Sequence, residues 1–240
     1  MRLVALFGAA ALVSVLPPAG HRTAVDDATL AGTAFDTARR SADFAMHSPS
    51  SEARFVADWV TDSHDNKKLP FVILDKRQAQ VFVFDANGRL IDASPVLLGS
   101  ATGDDTVPDI GSRPIAQVLP EERTTPAGRF VSEPGQNASG EDVVWIDYDA
   151  AVSMHRVRTA NPTERRLERL ASPNPIDRRI SYGCVNVPVA FYESVVRPVL
   201  GSARGVVYVL PETRALRQVF SAAYPLGSNT ARYRTPSSRM

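Results

Sequence analysis

The chain has 240 residues and a single cysteine, Cys184, in the string Ile180-Ser181-Tyr182-Gly183-Cys184-Val185-Asn186-Val187-Pro188. A thiol attacks carbonyls only as its thiolate, and with a free pKa of about 8.5 roughly 3% is ionised at neutral pH. The neighbours suggest two ways to raise that fraction. A helix is expected to start at Pro188, a residue suited to the first helical turn, and unpaired N–H groups at a helix start favour an anion. Gly183 permits a tight turn and close backbone approach to a ligand, so the N–H groups of Gly183 and Cys184 are candidate donors to an oxyanion. A general base is also needed. Of the four histidines His21, His47, His64 and His155, only His155 falls in a strand-like run of the main domain, Val152-Ser153-Met154-His155-Arg156-Val157. A lone histidine in a strand is more often structural than catalytic, but one upstream of a Gly-Cys turn in an exported chain points to a Cys–His pair. The residue that would orient this histidine is left open among the Asp and Asn side chains.

Export is read from the first 25 residues. Met1-Arg2 supplies a charge, Leu3 to Leu16 is apolar apart from Ser14, and Pro17-Pro18-Ala19-Gly20 ends the run. That order is expected of a signal peptide, with an uncleaved anchor as the alternative, and either would export the remainder. In an oxidising compartment Cys184 has no intramolecular partner. It is then an inert thiol, an intermolecular disulfide or a nucleophile. A formal net charge of +1 argues against the concentrated basic face of a nucleic-acid binder. No later stretch is apolar enough for a stable membrane span once the signal is removed.

Residues 26–68 read as a polar, partly helical N-terminal extension, with helices expected over 28–45 and 52–59. Strand signals then fall at 71–74, 79–84, 89–98, 128–132, 143–147, 152–157 and 205–210, with Asn87-Gly88 marking a hairpin. Helices are expected at 163–171, 188–196 and 215–223, and 212–240 reads as a tail. Residues 69–211 are therefore expected to form a mainly β domain, a sandwich or partly closed barrel with helices on its margin. Trp59 and Trp145 read as packing residues, and Asn137-Ala138-Ser139 as a polar loop.

Ser181-Tyr182-Gly183-Cys184-Val185-Asn186 resembles the L,D-transpeptidase signature of Ser/Thr-x-Gly-Cys, an apolar residue and Asn or Arg. That family also carries an upstream His, matched by His155, and a Thr-Pro-x-Gly-x-Phe segment, matched by Thr125-Pro126-Ala127-Gly128-Arg129-Phe130. The resemblance spans roughly 69–211. It implies an L,D-transpeptidase-type fold in the periplasm or cell envelope, acting on peptidoglycan stem peptides with no cofactor or metal, and carbapenem-type β-lactams as covalent inhibitors. Cys184 would form a thioester at a meso-diaminopimelate–D-Ala bond and pass the acyl group to a second stem, giving a 3→3 crosslink. His155 would be the base, Gly183 and Cys184 the oxyanion donors, and Tyr182 a further oxyanion or orienting residue. Ser181 would orient His155 or the substrate, and Asn186 would stand behind them. Two features depart from the pattern. The spacing from His155 to Cys184 is longer than usual and holds an arginine-rich segment, read as a solvated insertion or as a lid carrying Arg165, Arg166 or Arg169. Tyr182 stands where many members have His. Arg178 and Arg179 read either as holders of a substrate carboxylate or as surface charge. Two other outcomes stay open: the same acyl-enzyme used for hydrolysis or for attaching a protein to the wall, and a non-catalytic wall-binding protein.

Overall fold

A computed structural model describes residues 39–226. The expected signal peptide, His21, most of the 28–45 helix and the end of the tail lie outside the described residues. The part of that helix inside them, 39–45, is not helical: Asp43 bridges to Arg89 instead, and Ala45 takes a left-handed conformation.

The strands are β1 (Phe71–Asp75), β2 (Gln80–Phe84), β3 (Leu90–Pro95), β4 (Leu98–Gly99), β5 (Gly128–Gln136), β6 (Asp142–Asp147), β7 (Val152–Arg156), β8 (Arg179–Ser181), β9 (Val185–Val187) and β10 (Gly205–Val209). Eight of them form one sheet in the order β3-β2-β1-β10-β5-β6-β7-β9. The chain leaving β3 crosses to the opposite edge, where Leu97 and Asn186 exchange two backbone hydrogen bonds of 2.9 Å. That exchange nearly closes the sheet, and β4 then pairs with β8. The architecture is mainly β, as expected.

Every residue of β1 and of β10 is buried, which requires cover on both faces of the sheet. Val72, Leu74, Val207 and Val209 join one core with Val144, Met154, Val185 and Val187. A helical run covers this core, made of α3 (Val189–Phe191), a π turn (Tyr192–Val196) and α4 (Arg197–Leu200). Phe71, Ile73, Val206 and Tyr208 face the other way, onto a core with Val56, Trp59 and Val60. These belong to α1 (Ser51–Ser63), capped by Ser50, whose side chain accepts the Ala53 N–H. Trp59 is a packing residue, set edge-on to Tyr208. The helix expected at 52–59 thus runs longer and closes one face of the sheet.

The arginine-rich segment is ordered into a short 3-10 turn (Pro162–Glu164) and α2 (Arg166–Ala171), broken at Arg165, which is left-handed. Its Leu170 packs with Leu97 and Val157 beside Ile180. The final helix, α5 (Leu216–Val219), is shorter than expected.

Candidate active site

Cys184 stands on the turn between β8 and β9. The helix expected to start at Pro188 does not reach it: β9 intervenes and α3 begins at Val189. A strand rises about 3.3 Å per residue while a helix terminus acts within about one turn, so the helix start is no longer a source of thiolate stabilisation. The turn is held by other means. Gly183 has φ +129°, and a Cβ there would lie 2.7 Å from Thr124 O. Thr125 Oγ1 accepts the Gly99 N–H at 3.0 Å and donates to Gly183 O at 2.8 Å. Ser181 Oγ donates to Cys184 O at 2.7 Å and accepts the Gly183 N–H at 3.1 Å. Ser181 therefore orients the turn itself, not the histidine. With the Gly183 N–H occupied, the N–H groups of Tyr182 and Cys184 are the ones in this turn that no other described residue accepts.

Thr125 is anchored in turn. The Lys76 ammonium, fully buried, donates to Gly103 O, to Thr125 O at 2.8 Å and to Asp104 Oδ1 at 2.8 Å. Burial alone would raise the Asp104 carboxyl. Hydrogen bonds from Lys76, from Thr213 and from the Glu212 and Arg214 N–H groups instead hold it well below the usual carboxylate range.

β7 and β9 run parallel, with Met154 opposite Val185 and His155 opposite Asn186. Ser153, His155, Cys184 and Asn186 therefore share the face opposite buried Met154, and Cys184 is the diagonal neighbour of His155. All four line one cavity of about 380 Å³, with Ser181, Tyr182, Trp145, Asn137 and Arg166 also in its wall. Trp145 is thus a wall of this cavity as well as a packing residue, in edge contact with Tyr148. Tyr182 carries the Arg123 guanidinium 4.1 Å from its ring centre.

The Cys184 thiol donates to Ala151 O at 3.4 Å and lies 3.8 Å from Ser153 Oγ. No hydrogen bond joins it to His155. His155 Nδ1 is 2.7 Å from Arg156 O, so that nitrogen carries the proton. Nε2 is 3.3 Å from Asn186 Nδ2. Asn186 also donates to Cys184 O at 3.3 Å, and its Oδ1 accepts from Arg166 Nη1. Burial lowers the His155 pKa below the usual histidine value. The hydrogen bond to Arg156 O opposes this, and the nearby Arg158 and Arg166 charges reinforce it. These effects favour the neutral imidazole, with Nε2 as its acceptor.

Arg178 and Arg179 are taken away from this cavity. Arg179 donates to Gly99 O and Lys76 O and pairs with Glu212. Arg178 donates to Gln78 O, Ala79 O and Ser172 O and faces a separate cavity that includes His47. Neither is available to a substrate carboxylate beside Cys184. Arg165 pairs with Glu168, and Arg169 donates to Glu164 O and Asp177 O. Of the three arginines read as a possible lid, Arg166 alone lines the cavity. Among the described residues no cluster of three His, Cys, Asp or Glu could hold a metal ion, and no helix is long and apolar enough to cross a membrane.

No family model and no curated protein matches the chain. Solved structures with a partial likeness include the catalytic domain of an L,D-transpeptidase from E. faecium, at 16% identity and TM-score 0.34, over 60% of this chain and 98% of that one. An L,D-transpeptidase from Xylanimonas cellulosilytica is 16% identical with TM-score 0.35, over 59% and 60% of the two chains. A helical cell shape determining protein from Campylobacter jejuni is 11% identical with TM-score 0.39, over 70% and 58%. The chain thus spans all but 2% of an isolated catalytic domain and about three fifths of the longer proteins. Likeness at this level carries no functional argument, and the functional reading rests on the residues.

Proposed function

We propose that the protein is an exported cysteine transpeptidase of the L,D type, which acts on peptidoglycan stem peptides through a thioester on Cys184. The observation that supports this most directly is the register of β7 and β9, which sets Cys184 and neutral His155 a diagonal step apart in one cavity. The residues that resemble the family signature have matching tasks: Thr125 and Ser181 brace the turn that carries Cys184, and Asn186 meets His155.

In this reading the Cys184 side chain turns from Ala151 toward the cavity and gives its proton to His155 Nε2. Sγ bonds to the carbonyl carbon of the meso-diaminopimelate–D-Ala peptide. The tetrahedral oxyanion accepts the free N–H groups of Tyr182 and Cys184. The C–N bond breaks as His155 returns the proton to the departing D-Ala nitrogen. The side-chain amine of a second stem then attacks the thioester and yields its proton to His155. Sγ leaves and is reprotonated, and the product is a 3→3 crosslink. A carbapenem-type β-lactam would acylate the same Sγ as its ring opens. No electron is transferred, so the sequence needs no redox cofactor.

The test is product analysis. Purified tetrapeptide muropeptides incubated with the protein are expected to give 3→3 dimers with release of D-Ala. Tripeptides without dimers would make water the acceptor, and unchanged substrate would remove the enzymatic reading.

A further inference from the structure

Of the residues between His155 and Cys184 that line the cavity, Arg166 is the one whose guanidinium bonds the Asn186 side chain. The left-handed turn at Arg165 separates the 3-10 turn from α2, and Arg166, the first residue of α2, lies in the cavity wall with 13% of its side chain exposed. Its Nε bonds Glu164 and its Nη1 bonds Asn186 Oδ1. A guanidinium only donates, so the Asn186 oxygen must face it. The Asn186 nitrogen must then face His155 Nε2 and Cys184 O, which are both acceptors. Asn186 is buried, with its backbone fixed by the two bonds to Leu97, so its amide has two orientations available and little else.

We propose that Arg166 is a positioning residue, which holds the Asn186 amide with its nitrogen toward His155 and so keeps Nε2 a proton acceptor. The proposal builds on the function proposed above and extends it to a residue outside the motif. The opposite amide orientation would set Oδ1 against Nε2. His155 already donates from Nδ1 to Arg156 O, so the flipped amide would favour the doubly protonated imidazolium, which is no base. The other charged or titratable groups around His155 are Arg158 beyond β7, Glu141 before β6, Glu164 of the 3-10 turn and Cys184 before β9. None of these touches the Asn186 side-chain oxygen among the described residues.

The test is an NMR titration of the His155 imidazole nitrogens in four proteins: the parent, Arg166→Met, Asn186→Ala and the double variant. Arg166→Met is expected to raise the His155 midpoint by about one unit. The same change on the Asn186→Ala background is expected to raise it by less than half as much, because no amide is left to turn. The acid limb of Cys184 acylation should move to higher pH with the midpoint, and Arg166→Lys should restore much of both. An unchanged midpoint in Arg166→Met overturns the proposal. So does an equal shift on both backgrounds, which would make Arg166 a nearby charge and nothing more. Arg166→Leu serves in the same cycle if the methionine variant does not fold. If the parent protein is not acylated at Cys184, the proposed function fails, while the titration still decides the role of Arg166.

Discussion

A side chain at position 183 would meet the backbone Thr124 O at 2.7 Å where φ is +129°, so either that carbonyl or the turn must shift. Gly183→Ala is expected to destabilise the protein by about 1–3 kcal/mol or to displace the turn, with denaturant unfolding and Cys184 acylation as the readouts. Thr125→Val keeps the volume but strands the Gly99 N–H and the Gly183 carbonyl. A loss of about 1–3 kcal/mol for each is expected, with slower acylation. Burial and the two arginine charges keep His155 neutral below the usual histidine midpoint. Acylation should therefore persist through pH 6.5 and decline only at lower pH as the base is protonated, which a pH series of acylation rates will check. At this scale much was legible. Cys184, His155, Gly183 and Asn186 come from one short string and one strand-like run. Ser153 has no sequence signal, and Arg166 reads only as one of three lid arginines, because their contacts with Cys184 and Asn186 depend on strand register and on the path of a segment that no local pattern fixes.

The strands that carry the site are its least legible elements. β8 and β9 have three residues each, too few for alternation to register, and Pro188 drew attention to a helix instead. The consequence is physical. The site depends on cross-strand geometry between β7 and β9, not on a helix dipole beside the thiol. The apolar runs of β1, β2, β6, β7 and β10 are legible because burial on one or both faces writes itself into the sequence, whereas 89–98, which reads as one strand, is β3 and β4 in two different sheets. Arg178 and Arg179 show the opposite failure: adjacent charges near a nucleophile suggest a substrate clamp, yet backbone carbonyls and Glu212 take them. Arg178→Ala is accordingly expected to leave the acylation rate of Cys184 within about twofold while lowering stability through its lost bonds to Gln78, Ala79 and Ser172.

Over the whole molecule, a buried ionic node ties the Cys184 turn to distant chain. Lys76 follows β1, Asp104 and Thr125 bound the long loop after β4, and Asp104 also accepts N–H groups from Glu212, Thr213 and Arg214. Lys76→Met leaves the buried Asp104 carboxylate without its cation and is expected to cost about 3–5 kcal/mol. Because the Asp104 pKa is depressed on folding, its contribution is present above the ordinary carboxylate value and is lost as the pH falls below about 4 toward the lower folded value. The urea midpoint of unfolding should thus fall in acid, and fall less in Asp104→Asn. No charge pattern announces this node in the sequence, since its members are far apart in the chain. The central claim is that this framework presents Cys184 as a nucleophile. Intact-mass measurement after incubation with a carbapenem tests it most directly. The expected result is one adduct, mapped to Cys184, absent from Cys184→Ala and formed about 10²- to 10⁴-fold more slowly in His155→Ala. An unmodified parent protein, or an equal adduct on Cys184→Ala, would contradict it.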